Sequence, residues 1–311
     1  MKILITGVHG FVGSNLVAYL SPRHTIYGLD IIAPEKEGVE KTFSWDDLSA
    51  GTVPEVDAII HLAGKAHDTK NQAAAEVYFK VNTGLTQKIF DYFLASGARE
   101  FVFFSTAKAA AEKVEGVLTE DVVPAPVGPY GESKIKAEEY ILSHMPEDKS
   151  VYIFRPCMIH GPGNKGNLNL LYSVVSKGIP WPLGAYDNRR TFTSIENMCF
   201  AVEGVLTKDV PSGIYNMGDD EALSTNELIE TICSVLGKKA HIWRLPKGLM
   251  KAVARVGDWL HLPLDSERLR KLTENYISSN VKIKSVLRSD HMPVDAREGL
   301  RRTLDSFCKR G

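Results

Sequence analysis

A doubly wound parallel α/β sheet, carrying a smaller irregular α/β lobe, is the fold that this 311-residue sequence predicts. Three observations carry the prediction. The first half alternates short, nearly unbroken apolar runs with stretches of helical period. The first apolar run passes straight into a glycine-rich turn that opens a helix. After about residue 156 the alternation stops, and glycine and proline become frequent. Parallel strands covered on both faces read as continuous apolar runs. Strands separated by helices become crossovers of one parallel sheet.

Residues 2–6 (KILIT), 25–30 (TIYGLD), 57–62 (DAIIHL), 101–105 (FVFFS) and 151–155 (VYIFR) read as the strands. Residues of about 11–20, 73–96 and 130–144 read as helices between them. The runs "RPCMIHGPGNKGNLN" and "GIPWPLG" then mark a change of organisation. Residues 1–160 are expected to form the sheet domain, with later returns at about 190–220. Residues 161–311 are expected to form most of the second, interleaved lobe. The sequence shows no internal repeat and no low-complexity tract.

Composition narrows the classes of function. Hydrophobic residues are 44% and charged residues 24%, the range of a soluble globular protein. A net charge of -1 gives no broad basic field for nucleic acid, so a charged ligand needs a local cluster of cations. Cys157, Cys199, Cys233 and Cys308 are far apart and form no metal-ligand spacing. Buried free thiols in a reducing compartment are expected, rather than a zinc site or a disulfide scaffold. His61, His67 and His160 likewise share no ligand spacing on one element. "MKILITG" enters a strand directly and does not read as a signal peptide. No apolar run approaches the ~20 residues of a membrane span. The expected location is the cytoplasm, without membrane insertion.

The first strand runs into "TGVHGFVG", with Gly7, Gly10 and Gly13 spaced three apart. A tight strand-to-helix turn needs glycine where φ is positive. Further glycines let the backbone approach a diphosphate and the helix pack on the sheet. The helix start then offers unpaired N–H groups and the positive dipole end to phosphate. The alternative is a tight turn and nothing more. Immediately after a strand and opening a helix, the pattern favours a dinucleotide. Asp30 closes the second strand, where a carboxylate accepts from ribose hydroxyls and repels a 2′-phosphate. "LDIIAPEK" offers no arginine beside it, so NAD is favoured over NADP, with Lys36 the nearest cation.

"PYGESKIKAEEY", residues 129–140, sets Tyr130 and Lys134 one helical turn apart on one face. The pair is either two surface residues or a phenol whose pKa, ordinarily ~10, is lowered by a cation. Other stretches decide between these. "TGVHGFVG", "HLAG" (61–64), "YFKVN" ending at Asn82, "FVFFSTAK", "YGESK", "FRPCMIHGPG" and "NRRTFTSIENM" occur in order. Together they resemble the motifs of the extended short-chain dehydrogenases/reductases, the NAD-dependent epimerase/dehydratases. The resemblance is strong over residues 1–200 and weak in the last third.

That resemblance implies an NAD-binding Rossmann fold and a site. Cofactor contacts are implied for Gly7, Gly10, Phe11, Val12, Gly13, Asp30, Ile31, Leu62, Ala63, Gly64, Asn82, Ser105, Tyr130, Lys134 and Pro156. Tyr130 is the implied acid–base, Lys134 the cation that lowers its pKa, and Thr106 the hydroxyl that steadies the same oxygen. Ser105 is the runner-up for that hydroxyl. Substrate contacts are implied for Thr106, Lys108, Tyr130, Met158, Asn167, Leu168, Arg190 and Arg268. Arg190 is the favoured diphosphate clamp, because its fork suits bidentate contact. Arg189 and Arg270 are the less favoured neighbours. Trp181 is read as packing rather than sugar stacking.

"GPGNKGNLNLLYSVVSKGIPWPLGAYDNRRTF" is similar to enzymes of bacterial surface-polysaccharide assembly that act at C4 of UDP-N-acetylhexosamines. The activity implied is that of a UDP-hexose or UDP-N-acetylhexosamine 4-epimerase. A reductase of a UDP-4-keto-6-deoxy-N-acetylhexosamine and a non-catalytic NAD sensor are the alternatives. A non-sugar carbonyl substrate fits poorly with "NRRTF". Three departures from the family pattern stand out. Thr106 is followed by Ala107 and Lys108, not by the Asp-Glu pair of 4,6-dehydratases. Met158 replaces an asparagine and His160 a tyrosine. The family also implies a homodimer, built on helices 73–96 and 130–144 of two subunits.

Overall fold

The computed structural model describes residues 1–65, 74–164, 166–260 and 264–308. His67, and the start of the expected helix at residue 73, lie outside the described residues. The main sheet has seven strands, all parallel where paired. β1 (Lys2–Thr6), β2 (Thr25–Leu29), β3 (Lys41–Phe43), β4 (Ala58–His61) and β5 (Glu100–Phe104) come first in the chain. After the short β6 (Val117–Leu118), β7 (Ser150–Pro156) continues the sheet. Among the described residues β8 (Met158–His160) and β9 (Phe192–Ser194) pair only with each other, and β11 (Ile277–Ser278) pairs with β6. β10 (Gly213–Met217) returns to the main sheet beside β7. The order is β10-β7-β5-β4-β1-β2-β3. Strand order therefore reverses between β1 and β4, and a crevice opens at the carboxyl ends of strands at such a switch point.

Helices cover both faces. α1 (Phe11–Leu20) follows β1, and the short α2 (Trp45–Ser49) follows β3. The expected helix 73–96 is broken: α3 (Ala75–Tyr78), a π-helical segment Phe79–Gly84, and α4 (Leu85–Ala95). α5 (Ala107–Ala110), α6 (Pro129–Ser143), α7 (Asn167–Ser176) and α8 (Ile195–Thr207) come next. α9 (Thr225–Val235), α10 (Lys247–Leu260), α11 (Ser266–Thr273), α12 (Val281–Leu287) and α13 (Ala296–Cys308) follow.

Leu16, Val17 and Leu20 of α1 join Met198 and Val202 of α8 and Ile283 of α12 on one side of the sheet. Ile89, Phe90 and Phe93 of α4 join Ala137 and Ile141 of α6 on the other. A separate core of Leu168, Ile229, Ile232, Leu300 and Leu304 binds α7, α9 and α13 together. Trp181 packs at the margin of that core. Cys157, Cys199 and Cys233 are buried free thiols, but Cys308 is exposed near the chain end, with its sulfur 3.2 Å from the Tyr172 hydroxyl. Among the described residues no helix is long and apolar enough to cross a membrane.

One charge in the sheet is out of balance. Glu100 opens β5, and its Oε2 is buried with no partner among the described residues. Burial, and then the neighbouring Asp57, push its carboxyl up to about 7. The folded state therefore holds a proton that the unfolded chain releases near pH ~4.3. Stability contributed in this way is full below that value and is lost as pH rises to about 7. Glu100→Gln is expected to raise the melting temperature by a few degrees at pH 8 and to leave it unchanged near pH 4, read by thermal denaturation.

Candidate active site

The loops that leave the carboxyl ends of β1, β4 and β5 wall the crevice. Gly7 has φ 70°, and its N–H reaches across to the Leu29 carbonyl at 2.8 Å. A Cβ on Gly7 would lie 2.9 Å from the Ala63 nitrogen, and one on Gly13 would lie 2.5 Å from the Gly7 carbonyl oxygen. The turn therefore closes only with glycine at both positions. Gly10 caps α1 without any side-chain hydrogen bond, and the first turn of α1 contains no acid. The helix start, with Phe11 and Val12, thus presents N–H groups with no side chain bonded to them, which suits a diphosphate. Asp30 Oδ2 accepts from His9 N at 3.0 Å, and Oδ1 from Ile31 N at 2.8 Å. These bonds hold the carboxylate at the end of β2, while the Ile31 side chain is 86% exposed beside it. Lys36, the nearest cation in the sequence, donates from Nζ to Ser14 Oγ at 2.8 Å.

A polar lock, invisible in the sequence, fixes the second wall. Thr6 Oγ1 accepts from Leu62 N and Ala63 N at 3.2 and 3.0 Å and bonds the His61 ring at 2.7 Å. His61 bonds Thr86 on its other side at 3.0 Å. Burial and the charge of Lys134 hold His61 well below its ordinary pKa, so it is a neutral brace. Asn82 lies on the π-helical segment and is fully buried. Its Oδ1 accepts from Lys65 N at 2.7 Å, and its Nδ2 donates to Ser133 Oγ at 3.0 Å. A Cβ on Gly64 would stand 3.0 Å from Asn82 Oδ1 and 3.3 Å from Lys134 Nζ. Asn82 thus ties the strand-end loop to α6 beside Lys134.

α6 delivers the Tyr-Lys pair. Pro129 starts the helix with its φ already fixed. Tyr130 shares a side-chain hydrogen bond with Thr106, the N-cap of α5, and the Tyr78 ring meets it edge-on at 6.3 Å. Lys134 donates to the Phe104 carbonyl at 2.7 Å. Thr106, Tyr130 and Lys134 therefore meet at the carboxyl end of β5. Ser105 does not join them: its hydroxyl donates to the Glu138 carboxylate. Thr106 is thus the hydroxyl beside the phenol. Pro156 ends β7 and is buried.

The electrostatics differ from the sequence expectation in one respect. Burial raises the Tyr130 pKa, Thr106 partly opposes this, and Tyr78 adds to it. The ring keeps some exposure, but the protein around it is dense enough to desolvate the phenol. Lys134 is expected to lower that pKa, yet it is itself brought down to about 8 by burial, against the pull of Glu138. Its charge acts on the buried His61 ring, adding to the lowering by burial, while burial, Thr106 and Tyr78 set the direction at Tyr130.

The residues expected to contact substrate lie on several elements. Arg190 Nη1 donates to the Lys271 carbonyl at 2.6 Å, and burial raises the pKa of Cys157 and Tyr276 with the nearby Arg190 charge opposing it, so the guanidinium faces inward. Arg189 turns outward to the Ala222 carbonyl and Glu227. Lys108 is less available than expected, because its ammonium pairs with Glu112 at 2.8 Å. Met158 is 36% exposed on β8. Asn167 is exposed at the start of α7, whereas Leu168 is only 2% exposed, with its side chain in the lobe core. Arg268 is exposed and lies 3.6 Å from Asp265, and Arg270 pairs with Glu274. His160 bonds Thr303 at 2.9 Å and faces Asp219, which explains its burial without a ligand. Tyr276 joins the site unannounced by the sequence: it is buried, donates to the Ala111 carbonyl at 2.9 Å, and sits under Lys108. Nothing local in "NYISS" signals it.

Residues 3–218 match the model of the NAD dependent epimerase/dehydratase family. The chain belongs to that family. The members are enzymes and NAD is their cofactor. The glycine turn and uncapped α1 of this epimerase/dehydratase fit its diphosphate, and Asp30 fits its ribose. The chain is 32% identical over 268 residues to a UDP-glucose 4-epimerase of Vibrio cholerae, covering 79% of this chain and 78% of that one. It is 26% identical to a GDP-6-deoxy-D-mannose reductase of Pseudomonas aeruginosa, covering 82% and 86%. Among solved structures, MoeE5 in complex with UDP-glucuronic acid and NAD has the same fold, with a TM-score of 0.78, 21% identity and complete coverage of both chains. The UDP-glucuronic acid 4-epimerase of Bacillus cereus in complex with NAD gives 0.76, 21% identity and 99% of both chains.

Proposed function

We propose that this chain is a 4-epimerase of a UDP-hexose or UDP-N-acetylhexosamine, working by reversible hydride transfer at C4. The observation that carries the reading is the hydrogen-bonded Thr106–Tyr130 pair beside Lys134, at the mouth of the glycine turn. Bound NAD supplies the hydride acceptor and donor. Tyr130 would take the proton of the C4 hydroxyl and return it to that same oxygen, once the 4-keto sugar has turned its other face to the hydride donor. Thr106 donates to the same oxygen while charge develops on it. Lys134 and Asn82 hold the nicotinamide ribose side of the crevice. Arg190, turned inward, is the diphosphate clamp, with Met158, Asn167 and the Leu168 backbone around the nucleotide. Arg268 is the outer cation. Thr106 is followed by Ala107 and Lys108, so no acid pair stands ready for loss of water. The sheet domain and the interleaved lobe would close on the ligand from two sides. A second copy is expected to pack against α4 and α6.

A reductase of a UDP-4-keto-6-deoxy-N-acetylhexosamine needs the same residues, and the similarity to a GDP-sugar reductase keeps that reading in view. A non-catalytic sensor does not require the Tyr-Lys-Thr set. The test is to denature the purified protein, identify what it releases, and incubate it with UDP-GlcNAc and UDP-GalNAc without added cofactor. Released NAD together with interconversion is expected. An empty protein that ignores both sugars, yet oxidises NADH with a UDP-4-keto-6-deoxy sugar, would assign the reductase instead.

A further inference from the structure

We propose that α10, with the basic segment leading into it, is a docking surface for an anionic lipid bilayer. The helix reads KGLMKAVARVGDWL. Met250, Ala254 and Gly257 form its buried face. Met250 and Ala254 pack on Leu183 and Leu269, and Gly257 leaves no room for a side chain against Leu264. That face seats the helix on the body of the protein. One exposed flank of the helix is apolar as well. Leu249 is 50% exposed, Val253 41%, Val256 50% and Leu260 51%. Their spacing of four, three and four residues makes one continuous stripe. Trp259, 80% exposed, borders the stripe, and Trp243, 55% exposed, lies just before the helix. Single exposed apolar residues are ordinary, but a contiguous stripe marks an interaction surface.

Charge identifies the partner. Lys247, Lys251 and Arg255 are four residues apart, all exposed, along the other exposed flank of the same helix, where the one acid, Asp258, is taken up by Ser266. Residues 231–257 contain six Lys or Arg and no Asp or Glu, in a chain whose net charge is -1. The six are Lys238, Lys239, Arg244, Lys247, Lys251 and Arg255. A helix seated by one face, with an apolar flank, a cationic flank and Trp259 on the outward side between them, has the composition of one that lies in the plane of a bilayer interface. Anionic headgroups complement the cationic row while the stripe enters the acyl boundary. A second copy of the chain, paired across a two-fold axis on this face, would oppose like charges instead. The contact is peripheral, in keeping with the absence of a spanning helix among the described residues. It does not rest on the epimerase reading.

The experiment uses the full chain with sucrose-loaded vesicles of phosphatidylcholine, with or without phosphatidylglycerol. Co-sedimentation with the anionic vesicles at low salt is expected, with release at high salt as the screening length shrinks. The double variant Lys251→Glu/Arg255→Glu is expected to bind at least about tenfold more weakly. Val256→Ser/Trp259→Ser, which removes apolar contact without touching charge, is expected to do the same. Neither pair touches the crevice, so melting temperature and sugar-nucleotide turnover serve as controls for folding. Failure to sediment with anionic vesicles at low salt overturns the proposal. So does binding that both variants retain. If Val256→Ser/Trp259→Ser instead abolishes self-association in sedimentation velocity, with no vesicle binding by the parent, the face belongs to a second copy and the proposal falls.

Discussion

Tyr130→Phe is expected to lower turnover of the preferred UDP-sugar by about 10²–10⁴-fold, the usual contribution of a positioned acid–base group. The change removes one oxygen and little else. The ring keeps its edge contact with Tyr78, and Thr106 keeps its cap on Lys108 N. The melting temperature and the amount of NAD retained should therefore stay close to those of the parent. Steady-state kinetics on both proteins, with cofactor content measured on the same preparations, checks this. A loss confined to kcat is the signature of an interaction made in the transition state. Equal turnover in the two would overturn the acid–base assignment.

The pH dependence of the parent belongs with this result. In the protein alone burial holds the phenol above ~10, so it is neutral near pH 7. A base needs the ionised form, so activity should rise with pH through the pKa of Tyr130 in the liganded enzyme. Lys134 acts in the other direction. Its charge is present below about 8 and is lost as pH rises through that value. For both limbs to leave a working window, the phenol pKa must come down when the positively charged cofactor occupies the crevice.

How much the sequence discloses depends on the range of each interaction. Gly7 and Gly13 are legible because a strand-to-helix turn is local, and its steric demands involve few neighbours. Tyr130 and Lys134 are legible because helical spacing is local too. Thr106 is preferred to Ser105 by position in the strand motif, and the contact that engages Ser105, with Glu138, is visible only in three dimensions. The π-helical segment Phe79–Gly84 is not legible: its register is set by packing on α6, and helical periodicity over 73–96 runs straight through it. β3, β8 and β9 are three residues each, too short for alternation to register. Spacing misleads on the sign of the shift at Tyr130, because it gives proximity to a cation but not the degree of burial. The same limit applies to Arg189 and Arg190, which look alike in the chain and face opposite ways.

The Glu138–Arg155 pair is the clearest case of a contact that no local pattern reveals, and it carries the second large effect. Glu138 is one turn beyond Lys134 on α6, and Arg155 lies on β7. Arg155 Nη2 donates to Glu138 Oε2 at 2.6 Å, Nε donates at 3.1 Å, and the side chains are 2% and 0% exposed. Arg155 Nη1 is buried without a partner among the described residues, so the guanidinium has no second anion to turn to. Glu138→Gln is therefore expected to destabilise the protein by about 3–5 kcal/mol, the cost of a buried charge left unpaired. Urea denaturation measures it as a lower midpoint at unchanged slope. The double variant Glu138→Met/Arg155→Met removes both charges and keeps apolar volume, so it should recover most of that loss. It should not recover the site. Glu138 is the group that holds the Lys134 pKa up against burial. Without it Lys134 gives up its proton at lower pH, and the alkaline limb of the rate profile should move toward neutrality in a protein that is otherwise well folded. A double variant with restored stability and an unmoved limb would confine the pair to holding α6 on β7.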